Sequence, residues 1–114
     1  MSIEIERRGE IAILKPTGHL TGGADNDLIK AIRPLIEQRG ARVVLDLGGV
    51  EYVSSAGLGD LVRITAQANS QSARVVLAQP APFVAGVLAT TRLDRFFEIA
   101  PDIETAIKKL GGTT

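Results

Sequence analysis

Five residues, Val43-Val44-Leu45-Asp46-Leu47, constrain this chain more than any others. They form a continuous apolar run broken by a single acid. A helix face spaces its apolar residues three and four apart, and a strand with one wet face alternates them. A short unbroken run rich in β-branched residues is instead the pattern of a strand covered on both faces, as in the middle of a parallel sheet. Arg74-Val75-Val76-Leu77-Ala78 repeats the pattern. Parallel neighbours need a crossover between them, and the intervening sequence supplies a helix beginning near Ser55, with Leu58, Leu61, Val62 and Thr65 on one face.

The flanking segments extend this alternation. Ile3 and Ile5 alternate with Glu4 and Glu6, Arg8-Gly9-Glu10 reads as a turn, and Ile11 to Leu14 reads as a second strand. Pro16 and Gly18 are expected to end that hairpin. A first helix carries Leu28, Ile32, Leu35 and Ile36 on one face. Pro34 is expected to kink or loosen it, and Gly40 to stop it. Pro80 and Pro82 frame the start of a third helix carrying Phe83, Val87 and Leu88. Phe97-Glu98-Ile99 reads as a short last strand. Asp102 reads as the N-cap of a final helix with Ile103, Ala106, Ile107 and Leu110 on one face, and Gly111 to Thr114 as a frayed tail. The expected order is ββαβαβαβα: a single α/β domain over residues 1–114, its mixed sheet covered by helices.

Composition narrows the function classes. The 114 residues can bury a core without disulfides or metal. Thirteen basic residues balance thirteen acidic ones with no basic stripe, and three Phe and one Tyr make no stacking platform, which argues against nucleic acid as a partner. The absence of cysteine removes thiol chemistry and thiolate metal sites, and fits a reducing compartment. Met1 to Arg8 contain no apolar signal core, and no run approaches the ~18 apolar residues of a membrane span. The expected setting is the cytoplasm, with no direct membrane insertion.

Catalytic constellations are equally scarce. His19 is the one histidine, without a second ligand or a triad around it, so neither a metal site nor a Ser-His-Asp set is expected. Gly22-Gly23-Ala24-Asp25 lacks the lysine and spacing of a phosphate-binding loop. Asp46 ends a central strand, as the phosphoacceptor of a receiver domain does, but no acidic pair follows the first strand. Hydrogen bonding to the Gly48–Val50 turn is its expected role. The chain is read as no enzyme, with no cofactor and no metal.

One segment carries chemistry. After the Gly48-Gly49 turn and Val50 to Val53, Ser54-Ser55-Ala56-Gly57-Leu58-Gly59 opens a helix at the carboxyl end of a central strand, where functional loops of parallel sheets gather. Ser55 admits two compatible readings. It is a helix N-cap, contributing ~1 kcal/mol, or a phosphoacceptor whose phosphate would meet free N–H groups and the positive end of the helix dipole. Gly57 and Gly59 each cost about 1 kcal/mol relative to alanine. Either they pack closely against a strand, or they leave a bare surface for a partner's backbone. The loop holding Thr21 and Asp25 should lie at the same end of the sheet. Asp25 and Asp27 most simply cap the first helix. Thr21 and Asp25 therefore join Ser54, Ala56, Gly57, Leu58 and Gly59 as candidate partner contacts.

The stretch from Asp46 to Gly59 resembles the signature of STAS domains, in particular bacterial anti-sigma factor antagonists. The hairpin start, Gly18-x-Leu20 and the Pro80-x-Pro82 entry to the third helix match as well, so the likeness covers nearly the whole chain. The resemblance implies a protein that, unphosphorylated, binds an anti-sigma factor with serine kinase activity and frees its sigma factor. The kinase would phosphorylate the serine that falls on Ser55, and a PP2C-type phosphatase would reset it. Phosphate in an interface costs desolvation and like-charge repulsion, to which Glu51 and Asp60 are expected to add if the partner is acidic. The chain departs from the family pattern at Ser54, where many members have Asp, at Ala56, where they have Ser or Thr, and at His19, where a charged residue is common. The alternative within the same fold is a STAS subunit of a membrane lipid-transport ABC-type complex, docking without a phosphate switch.

Overall fold

The computed structural model describes residues 1–22 and 27–112. The elements run β1 (Ser2–Arg8), β2 (Ile11–Leu20), α1 (Asp27–Ile36), β3 (Arg42–Asp46), β4 (Gly49–Val53), α2 (Ser55–Ser70), β5 (Arg74–Ala78), α3 (Pro82–Thr90), a 3-10 turn (Leu93–Arg95), β6 (Glu98–Ala100) and α4 (Ile103–Lys109). Six strands form one mixed sheet in the order β1-β2-β3-β5-β6, with β4 pairing to β2 off that path. The expected α/β class and helix-covered sheet are present, with one strand more than the expected order. That strand is β4. Its sequence, Gly49-Val50-Glu51-Tyr52-Val53, is too short and too mixed to show a period.

The apolar runs behave as their pattern requires. Ala12, Leu14, Val43, Leu45, Val75 and Leu77 face α1, α2 and α3 in one core. Ile11, Ile13, Val44, Val76, Ala78 and Ala100 point the other way, against Ala106, Ile107 and Leu110 at the α4 end of the chain. Alternation of side chains along a strand therefore serves both layers, and β3 and β5 are covered on both faces.

The hairpin does not end at Pro16 and Gly18 as expected. β2 pairs antiparallel with β1 from Ile11 to Thr17, parallel with β3 from Ile11 to Leu14, and parallel with β4 from Thr17 to Leu20. Gly18, at φ +109°, marks a register shift in this last ladder. Glycine there is a bulge that bends the strand rather than a stop. Pro16 falls between the stretches paired to β3 and to β4.

α1 buries Leu28, Ile29, Ile32 and Ile36, with Pro34 two residues before its end. In α3 the buried residues are Val84 and Leu88. Phe83 is 48% exposed, and its ring stacks on Tyr52 at 5.4 Å between centroids. At the edge strand β1, Glu6 accepts from Arg8 at 2.8 Å and from Lys15 at 3.1 Å, and Arg8 also donates to Glu104 of α4 at 2.7 Å. Charge in that position discourages pairing with another sheet.

α4 is closed at both ends by local chemistry. Asp102 accepts from the Thr105 N–H at 2.7 Å, as expected of its N-cap. Of the expected tail, Gly111 and Gly112 complete the C-terminus: Gly111 takes φ +78°, its N–H reaches the Lys108 carbonyl, and the Gly112 N–H reaches that of Ile107. That pair of bonds is a Schellman closure. Residues 113 and 114 lie outside the described residues. The Thr105 hydrogen bond holds the Asp102 carboxyl below its usual pKa, with Lys108 assisting. A folded-state pKa below the unfolded one stabilises above the usual carboxylate range, and this stability is lost as pH falls through the folded value. Asp102→Ala is therefore expected to lower Tm at pH 7, with the gap to wild type closing toward pH 2, as followed by thermal circular dichroism.

Candidate functional site

The site begins with the break between β3 and β4. Asp46 accepts from the Gly48 N–H at 2.9 Å and from the Gln79 side-chain amide at 3.2 Å. The Val50 N–H reaches the Leu47 carbonyl at 3.1 Å. Asp46 thus binds the turn that follows it, as its sequence position suggested. This turn carries the chain from the first half of β2 to the second, where Gly49 lies against Thr17; a Cβ there would stand 2.7 Å from the Thr17 methyl. β4 then delivers Val53 and Ser54 alongside Leu20, whose carbonyl accepts the Ser54 N–H at 3.0 Å.

The helix cap is Ser54, which corrects the capping reading of Ser55. Ser54 is extended, at φ −85° and ψ 169°, and its hydroxyl accepts the Gly57 N–H at 3.0 Å while donating to the Thr21 carbonyl at 2.9 Å. A cap must hold non-helical backbone so that its oxygen reaches the third residue of the helix. β4 imposes that conformation on Ser54 and leaves Ser55 as the first helical residue. Ser55 is exposed, and its hydroxyl makes no hydrogen bond among the described residues.

The two glycines separate in role. Gly57 is buried, and a Cβ on it would fall 2.2 Å from the Leu20 carbonyl oxygen, so it belongs to the close approach of α2 to β2. Gly22, at φ +84°, completes the same contact from the other side, since a Cβ on it would meet Ala56 at 2.6 Å. Gly59 is different. Among the described residues, the one neighbour within reach of a Cβ is a terminal nitrogen of Arg63, at 3.4 Å. Leu58 is half-buried against the core of the α1–α3 face. The exposed candidates are therefore Thr21, Ser55 and Ala56, with Ser54, Leu58 and Gly59 partly accessible and Gly57 beneath them. Asp25 lies outside the described residues.

Asp60 does not add open negative charge to this surface, contrary to expectation. Its side chain is 9% exposed and ion-paired with Arg63, which is 72% exposed. Glu51 is exposed, 3.9 Å from His19, and His19 meets Tyr52 edge-on at 5.7 Å between centroids. Sequence reasoning passed over Arg33 and Arg63. Both line a groove of about 510 Å³ between α1 and α2 that also touches Ala56 and Gln67. Helical spacing of 56, 60, 63 and 67 along α2 was the available signal. Among the described residues no cluster of His, Asp or Glu is suited to a metal ion, and no helix is long and apolar enough to cross a membrane.

Comparison with known proteins agrees with this fold. A family model described as STAS domain matches residues 2–106. A Thermotoga maritima protein assigned as an anti-sigma factor antagonist superposes with a TM-score of 0.82 at 26% identity, covering 96% of this chain and 94% of its own. An anti-sigma factor antagonist of Mycobacterium paratuberculosis superposes equally well, at 0.82 and 20% identity over 96% and 93% of the two chains. The anti-sigma factor antagonist SpoIIAA in its unphosphorylated form is similar at 0.63 and 19% identity, over 98% and 100%.

Two stability outcomes follow from the cap and the glycines. Ser54→Ala should cost about 1 kcal/mol or slightly more in urea unfolding, because it removes the cap and the hydrogen bond to the Thr21 carbonyl, whereas Ser55→Ala should stay within about 0.5 kcal/mol of wild type. Gly57→Ala should destabilise by several-fold more than Ser54→Ala, or prevent folding, while Gly59→Ala should stabilise by up to about 1 kcal/mol. Equal effects at the two glycines would contradict the packing described for Gly57.

Proposed function

The chain belongs to the STAS domain family, and on that premise we propose that it is an anti-sigma factor antagonist switched by phosphorylation of Ser55. In its unmodified form it binds an anti-sigma factor with serine kinase activity and so frees the sigma factor. Phosphorylation weakens that complex, and a PP2C-type phosphatase restores binding. The setting of this cycle is the cytoplasm.

The observation that carries this reading is the division of labour between the two serines. Ser54 spends its hydroxyl on the cap and on the Thr21 carbonyl. Ser55 is exposed, held in a fixed place by the first helical turn, and its oxygen is not engaged among the described residues. A kinase needs such a hydroxyl. It attacks the terminal phosphorus of ATP, ADP leaves, and the hydroxyl proton is released. The helix start tolerates the new charge, since its dipole is positive there. The modification therefore changes the surface without unfolding the fold: up to two negative charges and added bulk appear among Thr21, Ala56 and Leu58, where a fitted partner would have to desolvate them. Similarity in fold to anti-sigma factor antagonists supports the same reading.

The test is to incubate the protein with ATP and purified candidate serine kinases of the anti-sigma type and to map phosphate by mass spectrometry. Modification at Ser55 is expected, with none on Ser55→Ala. Ser55→Asp should bind the kinase at least about tenfold more weakly than Ser55→Ala, roughly 1.4 kcal/mol or more. Equal affinities would remove Ser55 from the mechanism.

A further inference from the structure

Ser55, Gly59 and Arg63 follow one another at intervals of four residues in α2. They climb one side of the helix, each about 6 Å further along its axis. A long side chain on a helix leans toward the N-terminus and covers the turn before its own. Arg63 does so: its Nη1 lies 3.4 Å from the point where a Gly59 Cβ would stand, and Gly59 has no side chain to keep it away. Its other terminal nitrogen, Nη2, is held by the carboxylate of Asp60. Asp60 is the buried member of the pair and Arg63 the exposed one. The carboxylate therefore fixes the guanidinium fork and leaves Nη1 over the bare turn that separates Arg63 from Ser55.

We propose that Arg63 is the internal receptor for a phosphate on Ser55, binding its oxygens across Gly59 through Nη1 while Nη2 stays on Asp60. This inference rests on the reading of Ser55 as the phosphoacceptor. The gap of about 6 Å between positions 55 and 59 is one that a phosphoserine from one end and the guanidinium from the other close to hydrogen-bond distance. Arginine suits the task because its planar fork has five donors and serves a carboxylate and a phosphate at once, which a lysine ammonium does less well. The contact lays the phosphate along α2 instead of leaving it in solvent. It also takes the Arg63 cation away from any partner that pairs with it, so phosphorylation removes a positive contact as well as adding a negative one. Gly59 acquires a function from this arrangement: its missing side chain is the path between the two groups.

Phosphoserine installed at position 55 during translation makes the test independent of any kinase. Phosphorus NMR then follows the second ionisation of the phosphate, ordinarily near pH 6. In the otherwise wild-type chain this pKa should lie about 1 unit below that in Arg63→Gln, because the cation favours the dianion. Arg63→Lys should recover part of the shift. Gly59→Leu, which fills the path and leaves Arg63 intact, should lose most of it. The helix dipole acts in all four proteins, so the differences report on Arg63. Identical titrations in wild type and Arg63→Gln overturn the proposal, and so does a Gly59→Leu protein that titrates like wild type. Failure of every kinase to modify Ser55 would sink the switch reading and leave these titrations as they are, so the two failures are distinguishable.

Discussion

β2 is paired along its whole length, but not to the same neighbour, and the rest of the molecule follows from that. Its first half lies beside β3 and its second half beside β4. The chain must therefore step sideways between β3 and β4. The step is held by Asp46 hydrogen-bonding its own turn and by Gln79 reaching across from the end of β5. With it, Ser54 arrives beside Leu20 in an extended conformation, caps α2, and binds the Thr21 carbonyl.

Close packing then sets which residues of α2 face outward. Gly57 brings the first turn of the helix against the Leu20 carbonyl. The approach leaves no space for a side chain, which is why a glycine stands in a helix at a cost of about 1 kcal/mol. Once that face is inward, Ser55 and Ala56 are outward, Leu58 is half-buried, and Asp60 turns into the protein with Arg63 as its partner. A small set of backbone contacts thus presents one serine to solvent and uses the other as scaffold. Exposed Tyr52 and Phe83, stacked beside this end of the sheet, extend the surface without belonging to the core.

Much of the fold was legible in the residues. Val43 to Leu47 and Arg74 to Ala78 read as doubly covered strands because each is a short unbroken apolar run, and both are buried as that pattern demands. Asp102 read as a cap from its place before an apolar helical face. β4 was not legible, because five residues with apolar side chains at Val50, Tyr52 and Val53 fit no single period, and their strand conformation comes from β2. The continuation of β2 through Pro16 and Gly18 was hidden for a related reason: both residues usually end a strand, and here one sits at a change of partner and the other in a bulge. The inward face of α3 was not legible either, because that helix is apolar nearly all round, which removes the contrast that would separate buried Val84 and Leu88 from exposed Phe83.

At the site the sequence alone placed a serine-glycine segment at the start of a helix after a central strand, and narrowed the chemistry to a hydroxyl. It determined this because composition, strand pattern and turn residues are local properties. Which serine caps and which is free, which glycine packs and which lies bare, and whether Asp60 carries open charge were decided by tertiary structure. Each depends on a neighbour distant in the chain or on the rotation of α2 about its axis: Leu20 against Gly57, Thr21 against Ser54, and the inward face that seats Asp60. A one-residue shift of the cap rotates a helix by about 100°, and only the pairing of β4 with β2 sets that register.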